Sequence, residues 1–530
     1  MRLLFDWSRD KWILIAANIL FGSVLIVLFF TKILPLDPIN FVFFSFVGFL
    51  LSLYRPGWMF LLLVGILPYE IIGIAPENFG ITIRVYQWLL VLIVLSLIVR
   101  YALGRFSFQK FVFNFWDALL IIFGISSFFS ALFSVNQPAS LKLSFILFSF
   151  ILLYFLFRSF VHSLDDTRMI LPFLLSSFLV VSCYAILQNI LFLGGLESLE
   201  IMAGRPNATF AEADWLGGYL AVMVTITSAL IISQLPAVKN FQFKLERYIF
   251  PVLLFFGFTA LIISMSRSAW LAAVAGIIFV ILNGQNNCLR ETGKKCLHIL
   301  VPFLLALFAV YVFHLTAFNI FDRGQSVTSG KQKITVACMK TVVLPKTIDD
   351  VKELADYNCE HIRLEDIAKR KTAGEYVTEI SRRDPNVHIR KNIYEKSISI
   401  LKEHWFLGVG FGAIADYLGT DERGTGLNAS NIFLEIWLGS GVIGFLAFMV
   451  FWIGLGWKWL YSGIQKQNIL SVLLSSIWIA ATVFNLFNSG LFLGWFFAIL
   501  AFLLIDSAHS VLFDKNFFLP LKKFTFYDKN

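Results

Sequence analysis

Charged side chains are scarce in this chain: Asp, Glu, Lys and Arg make up 15% of its 530 residues, whereas 58% are hydrophobic. Soluble globular proteins carry charge at about a quarter of their positions, so this composition excludes that class. Apolar runs of about 20 residues recur along the chain, and each is long enough to cross a bilayer core of about 30 Å. The sequence therefore predicts a polytopic membrane protein.

The sequence also lacks the patterns of several common kinds of site. It contains no zinc-ligand spacing, no P-loop and no dinucleotide fingerprint in a strand context. The net charge of +9 comes from short basic clusters between apolar runs, which is how membrane topology signals are distributed. No acidic pair at metal-ligand spacing is evident in the predicted outer loops. We therefore expect no metal, no cofactor and no nucleic-acid partner.

Cysteine is rare, with five in the chain. Cys338 and Cys359 lie in a long polar segment, where an extracytoplasmic location would permit a disulfide; the alternative is two free thiols. The first apolar run, about 12–30, is not followed by a small-residue cleavage site, so we expect an uncleaved membrane helix. No internal repeat is visible, which disfavours the inverted-repeat transporter architectures.

About fourteen apolar segments are predicted to cross the membrane, about eleven before the long polar segment and about three after it. With the N-terminus placed in the cytoplasm, Lys and Arg concentrate in the inside loops at every alternation. The fold class predicted is thus an all-α polytopic membrane protein with a large extracytoplasmic domain between helices 11 and 12. Its predicted parts are an N-terminal bundle (1–316), the extracytoplasmic domain (317–430), three C-terminal helices (431–509) and a cytoplasmic tail (510–530).

The polar segment is predicted to contain regular structure. The stretch KITVACMKTVVLP, from Lys333, alternates like a strand or a short hairpin. The stretch from Thr347 to Lys371 and the stretch NIYEKSISILKEHW, from Asn392, are predicted as amphipathic helices. The role of the insert 334–379, in binding an acceptor or a partner or neither, stays open.

Polar residues gather at the predicted outer helix ends. GRPNATFAEADWLGGYL places Arg205, Glu212 and Asp214 before the eighth membrane helix, and SMSRSAW places Arg267 at the outer membrane boundary. An ionisable group at membrane depth is costly and is a functional candidate by default, although snorkelling and topology marking are alternatives for Arg267. Arg390 lies in a basic run of the polar segment, for which a solvated face is the simpler interpretation.

Together, the outward-facing arginines suggest a pocket for a diphosphate. Guanidinium groups bind phosphate oxygens bidentately and stay charged when they are partly buried. The turn GVGFG, Gly408 to Gly412, lacks the context of a nucleotide fingerprint and is predicted to be a tight turn where the chain re-enters the bundle. Gly441, in the helix that follows, is predicted to permit close helix packing.

Three stretches resemble the O-antigen ligase and polymerase superfamily of bacterial envelope enzymes: RPNATFAEADWLGGYL, SRSAWL, and HWFLGVGFG followed by SNIFLEIWLGSGVIG. With the large outer loop, the resemblance covers about Gly204 to Leu446. It implies a GT-C-like glycosyltransferase in the bacterial inner membrane. Such an enzyme takes a glycan from an undecaprenyl-diphosphate-linked donor on the outer face and passes it to lipid A core, another carrier-bound glycan or a protein. Membrane lipid and other polysaccharide-assembly proteins are further expected partners.

The resemblance also implies roles for particular residues. Arg205 and Arg267 would hold the diphosphate, with Arg390 as a third candidate. Because this chain departs from the family at Ser430, as described next, Glu212 and His404 are its remaining candidate bases. The lack of an acidic pair in the outer loops favours a metal-independent transfer.

One departure from the family concerns the choice of acceptor. Ligases of the family carry His followed by Asn where this chain has Ser430 and Asn431. A hydroxyl cannot replace imidazole as a base near neutral pH, so we expect a polymerase or another glycan transferase, with a ligase as the alternative.

Two classes of function outside enzymes stay open. A flippase for lipid-linked oligosaccharide would distribute its charges along helices that line a central path. A non-catalytic assembly or receptor protein would act through an outer domain that works when detached. The gathering of charge at the outer helix ends favours the enzyme.

Overall fold

A computed structural model describes residues 9–80, 82–104, 113–161, 164–200, 202, 204–234, 242–283, 289–316, 331–349, 351–362, 366–383, 385–420, 426–466 and 469–505. Most of these residues are helical, and a small β-sheet separates a long N-terminal series of helices from a shorter C-terminal series. The predicted cytoplasmic tail, 510–530, lies outside the described residues.

The described part of the chain contains eleven α-helices before the sheet. These are α1 (Arg9–Phe30), α2 (Pro38–Tyr54), α3 (Pro56–Ile66), α4 (Val85–Ala102), α5 (Phe115–Leu132), α6 (Gln137–Phe160), α7 (Leu164–Leu193), α8 (Ala213–Gln234), α9 (Gln242–Ile263), α10 (Arg267–Asn283) and α11 (Leu289–Val312). Within and after the sheet come α12 (Ile367–Thr372), α13 (Pro385–His404), α14 (Ile414–Leu418), α15 (Ile432–Lys466), α16 (Ile469–Phe487) and α17 (Gly494–Phe502).

Eight helices of the described residues are long and apolar enough to cross a membrane, and five shorter ones of 10–17 residues are also apolar. Many outward side chains on these helices are large and hydrophobic, such as Ile39, which is 82% exposed on α2. A helix surface of this kind suits contact with lipid. The chain is therefore a multi-pass membrane protein, and the number of about fourteen crossings stays a prediction.

Loops that the topology prediction places outside contact one another at one end of the helices. These contacts include Ile71 N to Thr209 O (3.0 Å), Gly494 N to Glu70 Oε1 (2.7 Å) and Asn136 Nδ2 to Asp416 Oδ2 (3.1 Å). Helix ends predicted to lie inside also pair with one another, as in Arg100 to Leu53 O (3.0 Å) and Trp459 to Leu503 O (2.6 Å). The pairing agrees with the predicted alternation, while the compartment that each end faces stays a prediction.

The expectation of an all-α chain is wrong for the polar segment. Four strands, β1 (Lys331–Cys338), β2 (Thr347–Ile348), β3 (Cys359–His361) and β4 (Tyr376–Arg383), form one sheet in the order β2-β4-β1-β3. The strand predicted from Lys333 is confirmed as part of β1. The helix predicted from Thr347 to Lys371 is instead β2, a 3₁₀ turn, β3 and the short α12.

The reason lies in long-range packing. The polar segment has a small hydrophobic core of its own. In it, apolar residues from the predicted helix pack against residues of the strands, and its members include Ile334, Val336, Ile348, Leu354 and Ile380. Strand pairing over the full length of β1 and β4 therefore overrides the local helical pattern. The amphipathic helix predicted over NIYEKSISILKEHW is confirmed within α13, where Ile393 and Leu401 are buried.

The choice left open for two cysteines is decided by the sheet. Cys338 and Cys359 are directly opposed in the register of β1 and β3, and they form a disulfide. The bridge closes a sequence separation of 21 residues, and Cys183 and Cys296 are free.

Replacing Cys338 and Cys359 with Ser should destabilise the sheet by about 3 kcal/mol, because a loop of this length gains that much entropy in the unfolded state. Limited proteolysis of the purified, detergent-solubilised protein would show faster cleavage between residues 331 and 383. Replacement of the free cysteines, Cys183 and Cys296, should leave the cleavage rate unchanged. Alkylation of Cys338 and Cys359 in native, unreduced protein would contradict the assignment.

The GVGFG turn docks into a break in a membrane helix. Helix α15 is interrupted at Gly441, which has φ +67° and ψ −175°. Val442 N donates to Phe406 O at 3.1 Å, and Val409 N donates to Leu438 O at 2.7 Å. The predicted tight turn is confirmed by positive φ values at Gly408 and Gly410, and the backbone groups freed by the break are satisfied by the turn.

Candidate active site

Arg205 ties the start of α8 to the end of α9. Its side chain is buried, with 6% exposed. Nε donates to Ser264 O at 3.2 Å, and a terminal guanidinium nitrogen donates to Asp214 Oδ1 at 3.0 Å. Asp214 lies in the first turn of α8, where the helix dipole favours a carboxylate. Through these two hydrogen bonds, Arg205 fixes the position of Asp214 and of the turn at Ser264.

The loop that carries Arg205 is itself held by buried hydrogen bonds. Thr209 Oγ1 donates to Pro68 O at 2.6 Å, and Ala208 N donates to Gln188 Oε1 at 2.8 Å. Ala208 has a φ of +47°, which an L-residue adopts only when its surroundings hold it. The RPNATF stretch is therefore a fixed element of the structure.

Arg267 is the first residue of α10 and is partly buried. The short turn before it includes Met265 at φ +55°. Helix α8 approaches this turn closely, because a Cβ atom on Gly217 would lie 2.7 Å from the Cβ atom of Ser266. The neighbouring Ser268 Oγ accepts a hydrogen bond from Asn488 Nδ2 at 2.6 Å. These contacts place Arg267 where the ends of α8, α10 and α16 meet.

Glu435 is a buried acid that the sequence analysis did not select. It lies in the first turn of α15 with 7% of its surface exposed. Its charge interacts with that of Glu212, which is exposed just before α8, and the Ser489 hydroxyl lies beside its carboxyl. Glu435 is an ionisable residue within an apolar run long enough to cross a membrane, and this feature of the sequence identifies it as a functional candidate.

Asn431 and Ser430 have structural roles at the start of α15. Asn431 Oδ1 accepts from Phe433 N at 2.9 Å, so it caps the helix. Its Nδ2 donates to Leu486 O at 3.1 Å, which ties α15 to α16. Ser430 has a φ of +50°, and its hydroxyl donates to Asn428 Oδ1 at 3.4 Å.

Helix α13 brings one of its two candidate residues to this region. The Arg390 guanidinium lies 5.9 Å from the centre of the Phe487 ring, next to the turn that contains Asn488. His404 is 14 residues further along α13, about 21 Å at 1.5 Å per residue. The His404 ring packs against the Tyr417 ring, with 5.7 Å between the two ring centroids. The structure therefore does not bring His404 together with Arg390.

We call the assembled residues the outer cluster, defined as Arg205, Glu212, Asp214, Arg267, Arg390 and Glu435. Cations that can oppose a developing negative charge lie here near carboxylates that can accept a proton, as an acid–base group transfer requires. Of the residues that the structure describes, no group of three or more His, Cys, Asp or Glu side chains is arranged to hold a metal ion.

The fold and the outer cluster define a multi-pass membrane protein with arginines and carboxylates gathered at one end of its helices. Residues 252–449 match the family model described as O-Antigen ligase. The match confirms the resemblance to the O-antigen ligase and polymerase superfamily, whose members are glycosyltransferase-like. It contains Arg267, Arg390 and Glu435, whereas Arg205 and Glu212 precede it. No curated protein matches the chain.

Proposed function

We propose that the protein is a glycosyltransferase that moves a glycan from an undecaprenyl-diphosphate-linked donor to a glycan acceptor at the outer face of the bacterial inner membrane. One observation carries the proposal: Arg267 lies at the same end of the bundle as two pairs of charged residues. These are the Arg205–Asp214 ion pair and the two acids Glu212 and Glu435, whose charges interact. The match to the O-antigen ligase family, which contains Arg267, supports this type of reaction.

On the donor side, Arg267 and Arg390 are the proposed contacts to the diphosphate. Both side chains are partly exposed. Arg390 lies near Phe487, and Ser268, which follows Arg267, bonds to Asn488, so both arginines lie close to the turn that follows α16. They would neutralise the charge that develops on the diphosphate as it leaves, which is the part a divalent metal plays in other transferases. Arg205 would act by holding Asp214 and the turn before Arg267 in place.

On the acceptor side, Glu212 is the proposed base. Its carboxylate is exposed beside the cluster, while the alternative, His404, packs against Tyr417 at the far end of α13. The acceptor hydroxyl oxygen bonds to the anomeric carbon of the donor, and the bond from that carbon to the diphosphate oxygen breaks. The bonding electrons leave with undecaprenyl diphosphate, and the hydroxyl proton passes to Glu212.

Two observations bear on acceptor and location. The Ser430 hydroxyl is hydrogen-bonded to Asn428 and has no basic character near neutral pH, which favours polymerase-type transfer over ligation to lipid A core.

A disulfide at Cys338–Cys359 suits an oxidising compartment, which supports an extracytoplasmic site.

The test is transfer by purified protein in nanodiscs with a fluorescent undecaprenyl-diphosphate oligosaccharide in EDTA. We expect a ladder of products on a gel, as a polymerase would give. We expect it in the presence of EDTA because the proposed charge neutralisation uses arginines only. A single shifted band that needs added lipid A core would make the protein a ligase, and activity that returns only with a divalent metal would contradict the arginine mechanism. Donor that crosses a liposome bilayer with no product would identify a flippase.

A further inference from the structure

Four buried polar atoms next to the outer cluster have no hydrogen-bond partner within the described residues. They are Glu435 Oε2, Ser489 Oγ, Tyr219 OH and Trp495 Nε1. Each belongs to a side chain that is at least nine-tenths buried. A buried polar group without a partner is costly, so native structures seldom keep one unless a ligand or function uses it. Four such groups together call for an explanation.

The four groups form two pairs on three elements, and one short stretch of chain carries a member of each pair. The Ser489 hydroxyl interacts with the carboxyl of Glu435, although neither Ser489 Oγ nor Glu435 Oε2 has a partner in full hydrogen-bond geometry. The rings of Tyr219 and Trp495 are 6.0 Å apart between centroids. Ser489 and Trp495 belong to one stretch, from the end of α16 to the start of α17. Tyr219 is five residues into α8 from Asp214, about 7.5 Å along the helix.

The stretch that carries Ser489 and Trp495 is held rigidly. Gly490 N donates to Asn485 Oδ1 at 2.8 Å, and Gly494 N donates to Glu70 Oε1 at 2.7 Å. Glu70 is itself buried, and Arg84 donates to its other oxygen at 2.6 Å. Burial raises the pKa of Glu70, and the charge of Arg84 opposes that rise. Ser489 and Trp495 are therefore presented at fixed positions before any ligand arrives, which lowers the entropic cost of binding.

Their chemistry selects one class of ligand. Trp495 Nε1 can only donate, Glu435 Oε2 accepts when ionised, and the two hydroxyls do both. None of the four is a cation, and the carboxylates of Glu435 and Glu212 would repel a phosphate. Aromatic rings beside mixed donors and acceptors suit a neutral, polyhydroxylated ring with an apolar C–H face, which is a sugar.

We propose that Glu435, Ser489, Tyr219 and Trp495 form the subsite for the acceptor sugar, with the exposed Glu212 at its entrance. The inference rests on the proposed function, because it divides the site into a cationic donor half around Arg267 and a sugar-binding half that contains no cation. The acceptor hydroxyl is thereby held between the base Glu212 and the donor.

The test compares steady-state transfer by wild-type protein with that of Glu435→Gln, Tyr219→Phe and Trp495→Phe. We expect KM for the acceptor to rise about tenfold or more for Glu435→Gln, which removes a hydrogen bond to a charged group, and about three- to tenfold for the other two. KM for the donor should stay within about twofold. Tyr184→Phe is the matched control, because Tyr184 OH is also buried without a partner, on α7; its acceptor KM should not change.

A second measurement does not depend on turnover. The probe is the free oligosaccharide released by mild acid from the lipid-linked donor of the native strain. Its binding to the full-length protein in nanodiscs is followed by saturation-transfer NMR, which should show contacts in wild type and Tyr184→Phe and weaker contacts in the three variants. A lowered melting temperature identifies a variant that misfolds, and such a variant is left out of the comparison. The conclusion then rests on Tyr219→Phe, which is the mildest change.

The outcomes separate the two proposals. Transfer by wild type with unchanged acceptor KM in all three variants would overturn the subsite and leave the proposed function standing. Binding of the oligosaccharide without transfer by wild type would support the subsite and count against the glycosyltransferase. A rise in donor KM instead of acceptor KM would assign these residues to the donor and overturn the division of the site.

Discussion

Replacing Arg267 with Ala is expected to lower the rate of glycan transfer by about 10²–10³-fold, which corresponds to about 3–4 kcal/mol of transition-state stabilisation. Arg267 begins α10 where three helix ends meet, and its side chain is partly exposed. Its proposed partner, the departing diphosphate, gains negative charge only as the glycosidic bond breaks. The loss should therefore fall on kcat more than on the donor KM.

Two further variants make this result specific. Arg267→Lys keeps the positive charge and loses the planar pair of donors, so we expect partial activity, between that of Ala and wild type. Lys32→Ala removes an exposed cation of the Lys32–Glu197 pair, which is separate from the outer cluster, and should leave transfer unchanged. Full activity of Arg267→Ala, with normal expression and melting temperature, would remove Arg267 from the mechanism.

Replacing Gly441 with Ala is expected to destabilise the protein by about 2–5 kcal/mol. At φ +67° and ψ −175°, Gly441 occupies a backbone region that is essentially restricted to glycine. A Cβ atom there would also overlap the carbonyl oxygen of Phe406, to which Val442 N donates its hydrogen bond. The substitution should therefore expel the GVGFG turn from the break in α15, and thermal unfolding in detergent should show a clearly lower melting temperature.

A matched glycine separates strain from overlap. Gly195 has a similar φ of +71°, but a Cβ atom on it would meet nothing within 4 Å. Gly195→Ala should therefore cost only the backbone strain, about 1–2 kcal/mol. If Gly441→Ala and Gly195→Ala lower the melting temperature equally, the docking of the turn into α15 contributes nothing to stability.

Several features could be predicted from the sequence because they depend on local composition. The membrane class follows from the length of the apolar runs, and α13 follows from the spacing of residues such as Ile393 and Leu401. The resemblance to the O-antigen ligase family rested on short motifs, and the family match over 252–449 confirms it. Arg267 was selected because a charge at a membrane boundary is unusual wherever the chain folds.

Other features were decided by contacts between residues far apart in the chain. The sheet forms because β1 pairs with β4 across about 45 residues, and local spacing around Val351 and Leu354 had favoured a helix. His404 and Arg390 share helix α13, whose length holds them apart, whereas the predicted helix began at Asn392 and did not include Arg390.

The sequence by itself determined the class of protein, the series of apolar helices, the resemblance to the O-antigen ligase family and the presence of arginines at helix ends, because hydrophobicity and short motifs are properties of neighbouring residues. Only the tertiary structure decided that Arg205 pairs with Asp214, that Cys338 bonds to Cys359, and that the charges of Glu435 and Glu212 interact. Glu435 is separated from Glu212 by more than two hundred residues of chain, and the packing of α8 against α16, and of α16 against α15, brings the two acids close enough for their charges to interact.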